Sequence, residues 1–273
     1  MLFICQVHCS ITTGVDIFFT SAIISAIMQA AIKERRKRIL LTLFLLGRDS
    51  GHNIFSSEVK HVFSLPADSP RSRGTIRLML TDKVITKEDT GVFRITEDGV
   101  KELSLAFPFV RFLVFPWDQK MRIVSYEIPE RKRSLRDSLR REVSGWGLGP
   151  WHRSFWLTPH PITEELKRIT DNEQGAEYVQ AFEGTPVLGD PKILLEKVWG
   201  ISKLEEQYKK IFKKWHEVLS TDTTKKEDKM KQVVELYLDI LKTDPGLPKE
   251  LVGKTWIGFE AFDIFDEMRK ILL

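Results

Sequence analysis

Residues 117–160 read WDQKMRIVSYEIPERKRSLRDSLRREVSGWGLGPWHRSFWLTPH. Residues 121–128 (MRIVSYEI) predict a strand, and Pro129 and Glu130 end it. Residues 131–144 predict a helix with Leu135, Leu139 and Val143 inward, its other faces covered by Arg131, Lys132, Arg133, Arg136, Arg140 and Arg141. Gly145, Gly147 and Gly149 loosen the turn that follows, and Phe155, Trp156 and Leu157 begin another strand. An acidic-start helix over 163–171 and a strand over 176–183 (AEYVQAFE) complete the segment. The order β-α-β-β-α-β is ferredoxin-like and sets a middle domain at 117–183.

Towards the N-terminus, residues 33–46 (KERRKRILLTLFLL) predict a helix with a basic first turn, ending at Gly47. Residues 56–63 predict a short helix behind capping serines. Residues 69–82 (SPRSRGTIRLMLTD) predict a third, with Ser69 as N-cap and Pro70 in the first helical position. Two β-patterned runs follow, Val84–Thr86 and Val92–Thr96, joined through Lys87-Glu88-Asp89-Thr90-Gly91. Thr96 then caps a helix through Leu105. Three helices and a hairpin make a winged helix-turn-helix, placed at 33–110. Ile76, Met79 and Leu80 share one face of the third helix and should pack inward. Arg71, Arg73, Thr75 and Arg77 lie near its N-terminal half, where such helices meet base edges in the major groove. Arginine can fork onto guanine O6 and N7, and Lys83, Lys87 and Arg94 would serve the phosphates.

The charge follows this division. Residues 1–116 hold 15 Lys and Arg against 11 Asp and Glu, residues 117–160 hold 9 against 5, and residues 161–273 hold 18 against 22. A basic front before an acidic back suits a polyanionic partner at the front. The 273 residues, 42% hydrophobic and 29% charged, exceed one ordinary core and exclude a largely disordered chain. Two cysteines exclude a disulfide scaffold and suit a reducing, cytoplasmic compartment. Cys5, His8 and Cys9 supply only three ligands where a structural zinc wants four, so no metal and no cofactor are expected.

Residues 1–32 form an N-terminal extension. Within it, 14–32 (GVDIFFTSAIISAIMQAAI) is long enough to span a bilayer and precedes a basic run. Ser21, Ser25, Gln29, Lys33 and Lys37 nevertheless draw a polar stripe along it, which favours a packed helix. A start at Met28 is a third option. At the other end, residues 184–192 (GTPVLGDPK) look like a linker. Residues 193–273 hold amphipathic helices at 201–219, 230–241 and 258–272, a polar loop at 220–229 and a rigid turn at 244–248. This acidic module suits packing or dimerisation. The fold class is therefore α+β.

The motifs together resemble the PaaX family of repressors of aromatic-acid catabolism. They are Trp117-Asp118, Arg122, Glu127-Ile128-Pro129-Glu130, Arg136, Leu139-Arg140, Trp146-Gly147-Leu148-Gly149 and Trp156-Leu157-x-Pro159. The front adds Arg73 and Phe93-x-Ile95-Thr96-x-x-Gly99, and the back adds Trp199-x-Ile201, Leu204-x-x-x-Tyr208, Asp244-Pro245-x-Leu247-Pro248 and Trp256-x-Gly258-x-x-Ala261. The resemblance spans residues 33–273. It implies a winged-helix domain, a middle domain similar to a small CRISPR-associated nuclease, a helical C-terminal domain, a homodimer on a double-stranded DNA operator, and release by an aryl-CoA or another small acidic effector. Three positions depart from the family: Asp82-Lys83 replaces Asp-Gly, Leu78 stands where an arginine is usual, and Met121 replaces a tryptophan.

Trp117, Arg122, Arg136, Arg140, Trp146, Arg153 and Trp156 are the candidates for holding such an effector, and Trp151 and His152 lie near them in sequence. No catalytic residue is assigned. Under an alternative, Glu127 would hold a divalent metal for a nuclease, as the aspartate of the related nuclease does. The plainer reading pairs Glu127 with Arg122 or another arginine. A membrane-tethered regulator and a purely structural adaptor are further alternatives.

Overall fold

A computed structural model describes residues 13–88, 91–152, 154–172, 176–221 and 224–273. Helix α1 runs unbroken through Thr13–Gly47, across the expected boundary at residue 32. Residues 29–38 contain only residues that tolerate a helix, with no glycine or proline to stop it. Gly47 ends it with φ 117°. Helices α2 (Ser57–Val62) and α3 (Pro70–Thr81) follow, each capped by the serine expected. Ser56 Oγ accepts from the Val59 amide and Ser69 Oγ from the Ser72 amide, both at 3.2 Å. Strands β1 (Ile85–Lys87) and β2 (Phe93–Ile95) pair antiparallel, Ile85 opposite Ile95. Thr96 caps α4 (Glu97–Ala106), accepting from the Gly99 amide at 3.1 Å. A short α5 (Arg111–Val114) leads into the middle of the chain.

There, β3 (Met121–Tyr126), α6 (Arg133–Gly145), β4 (Gly149–His152), β5 (Phe155–Thr158), α7 (Thr163–Asn172) and β6 (Val179–Gly184) keep the βαββαβ order. The sheet is antiparallel throughout, ordered β4-β5-β3-β6, with Val124 opposite both Trp156 and Ala181. Helices α6 and α7 bury Leu139, Val143 and Leu166 against one sheet face, where Val124 and Trp156 meet them.

The expected linker is shorter than its composition suggests. Asp190 Oδ1 accepts from the Lys192 amide at 2.8 Å, so α8 begins at Pro191 and runs to Trp199. Proline in the first helical turn is an ordinary start. Helix α9 (Ile201–Leu219) follows Gly200, and α10 (Lys226–Leu241) takes in part of the expected polar loop. The short α11 (Lys249–Val252) precedes α12 (Ile257–Leu272).

One core joins the two ends of the chain. Leu40, Leu43, Val62 and Met79 belong to the same buried cluster as Tyr208, Trp215, Tyr237 and Phe265. Phe44 meets Phe262 at 6.1 Å, and Phe109 lies 6.4 Å from Phe259. The acidic C-terminal helices thus pack on the basic N-terminal ones, and burial of that apolar surface holds them there.

The middle sheet meets both at a tight junction. The Nε2–H of His160 donates to the Pro245 carbonyl at 2.7 Å, and its ring stacks on Phe112. Trp199 Nε1 donates to the Gly147 carbonyl at 3.0 Å. Gly147 and Gly246 have φ of 81° and 62°, and a Cβ on Gly246 would fall 2.2 Å from the Pro108 carbonyl carbon. Beneath them Asp244 accepts from Tyr208 Oη at 2.5 Å and from the Gly246 amide at 2.7 Å. Burial pushes Asp244 up to about 6 despite those donors, and burial pushes His160 down to about 4.

Candidate nucleic-acid interface

Helix α3 is amphipathic in three dimensions. Ile76 and Met79 are buried, Leu80 is half-buried, and Arg71, Arg73 and Arg77 are exposed. Gly74 stands on the same exposed face, and no other part of the protein lies within 4 Å of where its Cβ would be. Leu78 joins them, 47% exposed. The open face is therefore flat at its centre, apolar at one point and cationic around it.

Thr75 needs correcting. It is 2% exposed, donates to the Arg71 carbonyl and accepts from Arg35 Nε at 3.2 Å. It fastens α3 to α1 and meets no solvent. A polar residue two positions from Arg73 and from Arg77 lies across the helix from both.

The neighbouring cations differ in freedom. Lys83 and Lys87 are exposed and carry no ion pair among the described residues. Arg94 is held by Glu88 at 2.8 Å and by the Asp49 carbonyl at 2.6 Å. Arg36 on α1 bridges Glu102 and Asp82 and ties α1 to the middle of α4 and the end of α3. Arg73 forms a two-pronged pair with Asp68: Nε donates to Oδ1 and Nη2 to Oδ2, both at 2.8 Å. That pair holds the Asp68 carboxyl below the usual carboxylate range. Asp68 and Gly74 were missed in the sequence. A glycine on the wet face of a helix is a legible signal, whereas a carboxylate five residues before its arginine is not.

The effector candidates do not converge. Arg122 is 4% exposed, its Nη atoms bond Asp118, Glu183 and the Pro159 carbonyl, and its unbonded Nε is buried, so it has no accessible edge to offer a ligand. Trp146 and Trp156 are core, and Trp156 Nε1 donates to Tyr126 Oη at 3.1 Å. Trp117 packs on the opposite sheet face with Met121 and Val198. Arg136 is paired with Glu130 at 2.7 Å, while Arg140 is exposed and carries no ion pair among the described residues. Arg153 lies outside the described residues, as do Cys5, His8 and Cys9. Glu127 is exposed just beyond β3, and Arg122 pairs with Asp118 and Glu183 instead of with it. Among the described residues no three His, Cys, Asp or Glu side chains are grouped to hold a metal ion.

What the middle region does offer is a cleft of about 570 Å³ between the outer sheet face, α8, α11 and residues 184–190. Ile123, Trp151, Leu157, Phe182, Ile193 and Leu251 line it, and Lys197 is its cation. Its size and apolar lining are those of a small-molecule site. Among the described residues no helix is long and apolar enough to cross a membrane.

These features coincide with two family matches. Residues 115–194 match the PaaX protein central Cas2-like domain, and residues 199–273 match the PaaX-like protein C-terminal domain. Together they cover more than half of the sequence, and the chain belongs to the PaaX family. No curated protein matches it. Among solved structures it is similar to Uncharacterized protein Rv0674 from Mycobacterium tuberculosis, with 17% identity and a TM-score of 0.47 over 86% of this chain and 97% of that one.

Proposed function

We propose that this protein is a transcriptional repressor, not an enzyme, that binds a double-stranded DNA operator as a homodimer. Helices α2 and α3 and the β1–β2 hairpin serve as its winged helix-turn-helix. The observation that carries this reading is the exposed face of α3, with Arg71, Arg73 and Arg77 around an open glycine and the apolar face buried beneath. Membership in a family of regulators supports it. Lys83 and Lys87 neutralise phosphates beside the groove. Two such helices related by a two-fold axis read half-sites about one helical turn, or a multiple of it, apart.

The effector is a small acidic metabolite, such as an aryl-CoA. Its apolar body fits the cleft under Phe182 and Trp151, with Lys197 facing its anionic end. It releases DNA because it binds more tightly to the arrangement whose recognition helices are wrongly spaced.

Selection of duplexes from a random pool with the purified protein tests this. Arg73→Ala is expected to weaken binding to the enriched duplex at least tenfold, the value of one bidentate base contact. Binding is also expected to fall with salt at a slope near −0.9 per phosphate contact. A protein that enriches no sequence, or an Arg73→Ala variant that binds as wild type does, overturns the reading.

A further inference from the structure

We infer that Asp68 is a specificity-determining residue: it sets the Arg73 guanidinium edge-on for a guanine and suppresses binding to other sequences. This rests on the proposed role of α3 in reading DNA.

The geometry assigns each donor of Arg73. Asp68 occupies the side edge, Nε and one hydrogen of Nη2, at 2.8 Å each. The end edge, formed by Nη1 and the other hydrogen of Nη2, has no partner among the described residues and projects from a side chain 69% exposed. An end edge of two parallel N–H groups is what O6 and N7 of guanine accept. Asp68 therefore does not mask Arg73; it fixes the plane in which the free fork points.

Asp68 is itself fixed. Ser69, the next residue, caps α3, and Ser72 is buried beneath that turn. The Ser72 hydroxyl donates to the carbonyl of Ala67, the residue before Asp68, at 3.0 Å. Pro66 and Pro70 bracket the segment and restrict its backbone. A long, flexible arginine is thus held by a short carboxylate on a stiff turn. Such pre-organisation lowers the ordering cost of the specific contact.

The same carboxylate discriminates. Where the fork finds guanine, its charge is offset by Arg73. On a duplex without that guanine, the neutralised pair gains no base contact and offers the phosphates no free cation, whereas an unpaired arginine would hold any duplex. As an exposed ion pair it adds little to the fold, so its loss is expected to show in DNA discrimination and not in folding.

The experiment uses the full chain and the duplex enriched by wild type. The guanine contacted by Arg73 is located by replacing each guanine in turn with 7-deazaguanine, which lacks the N7 acceptor. Wild type is expected to lose about tenfold at one position. Asp68→Ala is expected to bind scrambled duplex as well as or better than wild type, to bind the enriched duplex several-fold more weakly, and to lose most of its sensitivity to 7-deazaguanine. Asp68→Asn, which keeps one acceptor, is expected to fall between them. A merely structural role would weaken both duplexes alike. The inference is overturned if Arg73→Ala loses discrimination and Asp68→Ala keeps it. If Arg73→Ala also keeps full discrimination, the reading of α3 fails first.

Discussion

Lys83 holds a left-handed backbone, φ 58°, at the turn between α3 and β1, a region that favours glycine. A side chain in that region costs about 1–2 kcal/mol, part of which glycine would return as unfolded-chain entropy. The cost is retained at an exposed cation beside the proposed DNA face. Lys83→Gly is expected to stabilise the protein by roughly 0.5–1 kcal/mol, read as a higher urea midpoint. It is also expected to reduce the salt slope of DNA binding by about one phosphate contact. An unchanged slope would remove Lys83 from the interface. Single residues were unevenly legible in the sequence. The caps Ser56, Ser69 and Thr96 were readable because capping is a local backbone matter. Thr75 was misplaced because its partner Arg35 lies forty residues away, and the burial of Arg122 depends on Pro159 and Glu183, which are as distant, besides its near neighbour Asp118.

Among the elements, α3 carries an internal cost of its own. Gly74 sits within it with open space around the missing Cβ, although glycine there costs about 1 kcal/mol relative to alanine. Packing among the described residues gives no reason for it, whereas close approach of a duplex, under the proposed function, would. Gly74→Ala is expected to raise the melting temperature by a few degrees while weakening operator binding, both measurable on one preparation. A variant with higher stability and undiminished binding would take α3 out of the groove. Elements with strong periodicity, such as α6 and α9, were legible. Strand β4 was not, because Gly149-Pro150-Trp151-His152 lacks alternation. It is an edge strand, where proline is tolerated. Helix α8 hid behind Pro191, and α1 was divided at a change of polarity that leaves the backbone unaffected.

Across the whole molecule, the junction at Asp244 and His160 sets an acid response. Asp244 has its carboxyl raised to about 6, so the fold binds that proton more tightly than the unfolded chain does. Its contribution is fullest below the unfolded carboxylate range and is lost as pH rises to about 6. His160 is lowered to about 4, so its contribution is present above the unfolded imidazole range and is lost as pH falls towards 4. Between about 4 and 6 the two slopes oppose each other. Asp244→Asn is therefore expected to make stability rise with pH across that window relative to wild type. His160→Gln, which keeps a donor for Pro245, is expected to make it fall. Urea midpoints at several pH values measure both, and curves parallel to wild type would refute the assignment. At this scale three of the four middle strands, both middle helices and the helical end were legible, since these are written in local pattern. It concealed that the first and last parts share one interior, because no local pattern records which apolar faces meet.

That shared interior has a mechanical consequence. Since Phe44, Phe109, Phe259 and Phe262 interlock across the two ends of the chain, the N-terminal helices are bolted to the C-terminal ones and do not dangle on a tether. A metabolite bound beneath α8, as proposed, would find no slack hinge there to loosen. Under the proposed function, any shift set off in the cleft would therefore have to carry both ends of the chain together, as a single lever.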